Sequence, residues 1–531
     1  MKPQTDVLIV GAGPSGLALA LWLTHFGVNV RIVDKVAEPG TTSRALAVHA
    51  RILEFYDQLG LAREIAGRGL KMASATLWVG GKPKGHLVFG DLGEGISPFP
   101  YALIFPQDEH ERLLIERLAG LGVAVERPTE LVGFEDRGAH VVARLRPPGG
   151  PEEVVETAFL AGCDGAHSVV REALKVGFPG GTYSHMFYVA DVEASGPAMN
   201  SEVNLGLDEA EFLAIFPLKG AGRARFIGAV KREAEAQREL TFDDVSPRLI
   251  NRLDIKIERV HWFSTYRVHH RVAGHFRAGR AYLLGDAAHI HSPVGGQGMN
   301  TGIGDAVNLA WKLAAVLQQR AAIGILDSYE PERIAFARRL VSTTDRAFQF
   351  INNDGPFARF VRTRIVPILL PTIFRISAMR RLMFLTISQT NVNYRGSEIS
   401  VGKAGRIAAG DRLPWVREAN GSDNFASLRS VKWQPHVYGE AGNETREACA
   451  QAGLTLQRFP WSEAARKAGL AQDALYLVRP DGYVGLAAAN NIAAAVRDYL
   501  GRLGLRFDGA DAETPAGAGI GAPAGAHAHR S

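Results

Sequence analysis

Cysteine is almost missing from this chain: Cys163 and Cys449 are the only two in 531 residues. They supply neither a disulfide framework nor a C-x-x-C pair, which excludes a stapled secreted scaffold and dithiol chemistry and points to a reducing, cytoplasmic setting. Long apolar runs are missing too. The most hydrophobic stretch, residues 365 to 371, is broken by Pro367 and Pro371 and followed by Arg375, so it cannot span a bilayer. No charge sign dominates, since 60 Lys and Arg against 55 Asp and Glu leave a net charge of +5. The two signs are interleaved, so nucleic acid is excluded as a partner. The exception is 355 to 396, which holds no acidic residue but carries Arg359, Arg362, Arg364, Arg375, Arg380, Arg381 and Arg395. A basic amphipathic stretch can lie on a membrane, but the reading preferred here is helices packed across larger units or at a dimer interface, and membrane contact is not expected. The strand pattern starts by Val7, so no signal peptide is expected. His289 and His291 form an H-x-H without further spaced ligands, so no metal is expected.

What is present is glycine in ordered places. Val7 to Val10 reads as a buried strand, Gly11-Ala12-Gly13-Pro14-Ser15-Gly16 follows, an apolar helix runs from 17 to 26, and a second strand ends at Asp34. Such strings arise by chance in a chain with 58 glycines, so the context carries the weight. Strand, glycine turn, helix, and a second strand ending in an acid form a dinucleotide-binding unit. Gly11, Gly13 and Gly16 allow a tight turn and close approach of a pyrophosphate, while Asp34 can accept from a ribose hydroxyl.

A second cluster lies far downstream. Tyr282 to Leu284 reads as a strand, Gly285-Asp286 ends it, and a loop containing Pro293, Gly295, Gly296, Gly298, Met299 and Asn300 opens a helix over 303 to 319. A backbone bare of side chains can lie flat against a planar ring, and the helix aims its positive end at it. Asp286 is placed to accept from ribityl hydroxyls. FAD is long enough to need both anchors, which separates it from NAD. A third element, Asp164-Gly165 after an apolar strand, again enters a helix.

The ordered trio of Gly11/Gly13/Gly16, Asp164-Gly165 and Gly285-Asp286 resembles the FAD-dependent aromatic hydroxylases, the single-component flavoprotein monooxygenases of the p-hydroxybenzoate hydroxylase and phenol hydroxylase type, over about residues 5 to 345. The resemblance implies an arginine near FAD at Arg44, a glutamine contact at Gln107 and Pro293 against the flavin ring. It further implies a cycle in which NADPH or NADH, a transient visitor without its own domain, reduces FAD, and O2 then gives a flavin C4a-hydroperoxide that hydroxylates a small aromatic substrate. One departure matters. The acid that the phenol hydroxylase branch places upstream of Arg51 falls on Leu46 here, so that base is absent. His49 is the nearest titratable candidate for catalysis, or a plain helix-start histidine.

The expected fold class is α/β: a Rossmann-like FAD-binding domain over 1-178 and 273-345, an inserted β-sheet substrate domain over 179-272, a helical basic segment over 346-399, a small C-terminal domain over 400-507 and a disordered tail over 508-531. Phe212, Phe216 and Phe226 on predicted strands are candidate substrate-binding residues or plain core. In the C-terminal domain a hairpin over 475 to 486, turned by Pro480-Asp481-Gly482, precedes a helix over 492 to 503. That order resembles the thioredoxin-like domain of a subset of these hydroxylases, for which a structural or dimerisation role is expected, leaving a homodimer open. The Ala/Gly/Pro-rich tail ends in Ala526-His527-Ala528-His529 and has too little apolar area to order itself. The activity implied is hydroxylation of a phenolic ring. The alternatives are a flavin-dependent reductase or oxidase that inserts no oxygen, and a non-enzymatic flavin sensor.

Overall fold

The computed structural model describes residues 5–40, 45–90, 92–207, 212–230, 240–245, 247–351 and 355–507. Arg44 and the tail from 508 onward lie outside the described residues.

The first sheet is built on the strand Thr5–Val10, which runs parallel to Val30–Val33 on one side and to Glu153–Gly162 on the other. Glu153–Gly162 is in turn parallel to Ala281–Leu283. Val7 to Val10, Phe159 to Ala161 and Ala281 to Leu283 in these strands are apolar and buried on both faces, the pattern of a parallel sheet covered by helices. The helix Pro14–His25 is buried from Gly16 through Leu23 and packs against the helix Gly298–Leu317. Register then aligns the strand ends. Val10 pairs with both Val33 and Gly162, and Gly162 pairs with Leu283. Gly11, Asp34, Cys163-Asp164 and Gly285-Asp286 therefore emerge at one edge, the place where ligands bind in open α/β sheets.

The second sheet has eight strands, with the long antiparallel pair Gly180–Ser195 and Lys256–Val272 at its heart. It also takes in the hairpin Ser74–Val79 and Lys82–Val88, through parallel pairing of Ser74–Val79 with Val203–Leu207. The boundary expected at 179 misses this hairpin. Parallel pairing across more than a hundred residues leaves no mark on local periodicity. One face of this sheet packs on the helix Pro247–Arg252 through Tyr188, Leu213, Ile215 and Phe226, and the other turns toward the flavin-motif unit.

Residues 356–374 and 377–387 are helical, as Pro356–Phe360, Val361–Ile365, Val366–Phe374 and Ser377–Ile387. They press on the hairpin so closely that a Cβ at Gly85 would lie 2.8 Å from Pro371 Cγ. Among the described residues, no helix is long and apolar enough to cross a membrane.

The C-terminal sheet pairs Gln434–Tyr438 in parallel with Gln457–Phe459, across the helix Asn443–Gln451. Leu475–Val478 runs antiparallel to Gln434–Tyr438 and to Val484–Ala488, and the helix Ile492–Leu503 closes the unit. The Pro480-Asp481-Gly482 turn is where the sequence puts it, with Gly482 at φ +74°. Its burial against the flavin-motif unit is new. Arg51 Nη2 donates to Asp481 O at 2.7 Å, and Gln58 Nε2 to Pro480 O at 3.2 Å.

Candidate active site

A cavity of about 1070 Å³ opens at the carboxyl ends of the four parallel strands. It stands at the upper limit of ligand pockets, roughly 300–1,000 Å³. The first loop supplies Ala12, Gly13 and Ser15 to its wall. The three glycines there do different work. A Cβ on Gly11, at φ +100°, would sit 2.3 Å from Cys163 O, and one on Gly16 2.0 Å from Gly11 O, so both are demanded by the fold. A Cβ on Gly13 would meet nothing within 4 Å. The bare face of Gly13 therefore serves what enters the cavity, at the start of a helix with no side-chain cap, where N–H groups and dipole favour a phosphate.

Asp34 holds this loop: its carboxylate accepts from Ala12 N–H at 2.7 Å and Val36 N–H at 2.9 Å while still lining the cavity. Arg127, which the sequence reading did not single out, lines it too and lies 3.3 Å from Asp34 Oδ1. Asp286 sits in the short turn Gly285–Ala287 and is exposed on the cavity wall. Gln107 lines the wall, with Nε2 donating to Glu111 at 2.7 Å. Asp164 differs. It faces the helix Val169–Ala173, accepts from Val170 N–H at 3.1 Å, and is not among the lining residues, although Cys163, Gly165 and Ala166 are. An acid after a strand can cap the next helix as readily as face a ligand.

The second glycine loop forms the opposite wall, with Pro293, Gly298 and Met299 lining it and Gly295 and Gly296 at φ +77° and +62°. Asn300 stands behind this loop rather than in the cavity. Its Nδ2 donates to Ala47 O and Gly296 O, both at 2.8 Å, and its Oδ1 accepts from His49 N–H at 2.8 Å. His49 does precede a helix, Ala50–Gln58, and its ring also reaches the loop, with Nε2 2.9 Å from Gly295 O. A carbonyl only accepts, so Nε2 carries the proton and Nδ1 keeps a lone pair. Burial holds the imidazole down at about 4, against the opposing hydrogen bonds to Gly295 and Gly296. A ring neutral at pH 7 and this reluctant to charge is a poor acceptor of a phenol's proton, and its geometry is that of a loop clamp.

Asp305 is a supporting residue that no local signal reveals. Fully buried on the helix Gly298–Leu317, it accepts from Gly285 N–H at 3.0 Å, pairs with His289 at 2.8 Å and binds Arg333 at 2.6 Å. His289, half of the H-x-H, is thereby engaged by a carboxylate. Only the fold brings these four together.

The roof comes from the second sheet and the 355–387 helices. Trp262, Ser264, Tyr266 and Val268 line the cavity, and Arg267 and His269 reach it from between them at the end of the same strand. Of the three candidate phenylalanines, Phe216 lines it. Phe226 pairs with Ile215 and is wholly buried on the opposite face, in the core with Tyr188 and Leu213, while Phe212 lies at the far end of its strand and is not a lining residue. Aromatic content marks a strand but not which of its faces is wet.

Glycine cradles at two helix starts, an acid on each of two strand ends and a flat bare loop fit FAD. Residues 4–344 match the model of a family described as an FAD binding domain. A flavin-dependent monooxygenase of Mycobacteroides abscessus is 32% identical over 94% of this chain and 99% of its own. The chain belongs to the FAD-dependent aromatic monooxygenases. The 6-methylpretetramide 4-monooxygenase of Streptomyces rimosus is 38% identical over 70% of this monooxygenase and 66% of its own length. Among solved structures, the OxyS anhydrotetracycline hydroxylase of Streptomyces rimosus superposes with a TM-score of 0.76 at 28% identity, covering 94% of this chain and 99% of that one. In the monooxygenase, then, the glycine loops and the aromatic roof line one and the same cavity.

Proposed function

We propose that the monooxygenase hydroxylates a multi-ring phenolic compound, with NADH or NADPH as transient electron donor and O2 as oxygen source. The observation that carries this reading is the single cavity that joins the dinucleotide cradle to a roof of Trp262, Tyr266 and Phe216. Aromatic walls stack flat rings, and a volume this large leaves room beside the cofactor. FAD bound there supplies the transfer of electrons from the nicotinamide to oxygen. The protein orders the glycine loop through His49 and Asn300, excludes water with apolar helices and holds the ring in place. Since His49 is a weak base, the groups favouring a phenolate are donors that stabilise it. Arg267 and the Tyr266 hydroxyl on the roof suit that role. Support for the substrate class also comes from relatives named for tetracycline intermediates and rifampicin.

The C-terminal unit we read as thioredoxin-like, on its strand–helix–strand followed by hairpin and helix. It carries Cys449 alone, so its duty is structural. The test of the activity is a panel of mono- and polycyclic phenols scored by stimulated NAD(P)H oxidation under labelled oxygen gas. Label in a polycyclic product supports the reading. Stoichiometric NAD(P)H oxidation to a reduced, unlabelled product establishes the reductase alternative instead.

A further inference from the structure

Eight of the fourteen large hydrophobic side chains exposed among the described residues fall between 357 and 387. Singly exposed apolar residues are ordinary, but a concentration of them marks an interaction surface. Phe357 is 78% exposed and Ile368 72%, and Phe360, Leu369, Ile376 and Leu382 are each half or more exposed. The helices that bear them are not loose. Phe374 and Phe384 on the same segment are buried, and a Cβ on Gly93 would overlap the Phe384 ring. One side of the segment is thus spent on internal packing, as the sequence suggested, and the other presents bulky apolar groups to solvent.

Charge decides what covers that side. No acidic residue occurs from 355 to 397, and Arg364, Arg375 and Arg381 are exposed. An isologous contact through this face would set these arginines against a second copy of a segment with no acidic residue to pair them, which disfavours self-association. Apolar side chains interspersed with arginine are instead the composition that enters the headgroup boundary of an anionic bilayer. Ile387 ties the face to the site, being both exposed and part of the cavity wall, which Phe374, Met383 and Phe384 line from the packed side of the segment.

We propose that the 357–387 helices dock the monooxygenase on the surface of an anionic lipid bilayer, with the cavity rim at Ile387 turned toward the acyl boundary. The proposal goes beyond the hydroxylase reading and is testable without any substrate. FAD-loaded protein is mixed with vesicles of phosphatidylcholine containing roughly one-third phosphatidylglycerol, and with vesicles of phosphatidylcholine alone, and floated on a density gradient. Co-flotation with the anionic vesicles, reversed by high salt, is expected. Arg375→Glu with Arg381→Glu should lower the bound fraction by about tenfold or more, and Phe357→Ser with Ile368→Ser should do likewise, both retaining FAD and the wild-type melting temperature. The proposal is overturned if the holoenzyme stays with the soluble fraction, or if it floats equally on neutral vesicles. It is overturned too if Phe357→Ser with Ile368→Ser converts a dimer to a monomer in solution or frees an acidic protein partner, because the face is then a protein interface.

Discussion

The cavity and the seam beneath the C-terminal unit are both rich in polar groups, yet they use them in opposite ways. In the seam the charges are spent on one another, although Arg51 Nε and Gln58 Oε1 stay buried without a partner. Glu332 meets Arg479 at 2.8 and 3.0 Å and Lys312 at 2.8 Å, Arg479 also binds Asp481, and Trp311 Nε1 donates to Asp481 at 3.0 Å. Glu54 is held the same way by Arg51 and Arg412. Burial opposes ionisation of Glu332, but Arg479 and then Lys312 outweigh it and hold the carboxyl well below its usual range, while burial pulls Lys312 down to about 8. A group so saturated has nothing left for a ligand. Around the cavity, by contrast, Gly13 faces open space, His49 Nδ1 is buried without a partner, and two helix starts lack side-chain caps. Perturbed titration alone would have nominated the seam as the active site; the open face of Gly13 and the volume around it nominate the cavity.

The sharpest break of that contrast is Glu332→Ala, which leaves Lys312 and Arg479 buried without their acid and should cost about 3–5 kcal/mol of stability, read from urea unfolding. Retained stability would mean the network is not what joins the units. Next in size is a glycine pair. Gly16→Ala should destabilise the apoprotein, because its Cβ falls 2.0 Å from Gly11 O, whereas Gly13→Val should leave the apoprotein's melting temperature unchanged and weaken FAD binding about tenfold or more. Titration of the apoproteins with FAD, followed by flavin fluorescence, separates them. Equal FAD affinity in Gly13→Val would place the pyrophosphate elsewhere. Asp286→Ala should cost less, severalfold in FAD affinity, through loss of one acceptor on the wall.

The smallest effect concerns pH. His49, His110 and His291 are held near 4 by burial, against an ordinary value of 6.5. The unfolded chain therefore binds more protons between about 6.5 and 4, so the stability these rings allow is complete above 6.5 and falls as pH drops through that window. Flavin should be released on mild acidification, with His49 among the causes because it holds Gly295. His49→Gln, which keeps a donor but does not titrate, should move the release midpoint to lower pH while hydroxylation at neutral pH persists. A large loss of rate at neutral pH in that variant would restore His49 as a proton acceptor.

Much of the cavity's outline was legible in the chain. Gly11, Gly13, Gly16, Asp34, Gly285-Asp286 and the 295–298 loop fall at strand ends and turns, where structure is written locally in residue type and order. The hairpin at 475–486 and the final helix were legible for the same reason. What required the fold was direction. Phe216 and Phe226 sit on neighbouring strands with the same aromatic signature, and only sheet pairing turns one to the cavity and the other to the core. Asp164 and Asp286 share a strand-Gly-Asp context, and only the adjacent helix makes one a cap.

The sequence by itself thus determined the cofactor class, the strand–loop–helix units and their order, because glycine, strand period and capping chemistry act within a few residues. Tertiary structure alone decided that Ser74–Val88 joins the roof, that Asp305 gathers Gly285, His289 and Arg333, and that one side of the 355–387 helices faces solvent. Those outcomes depend on pairing between residues far apart in the chain, where burial and closed hydrogen bonding, rather than local preference, choose which partner each side chain meets.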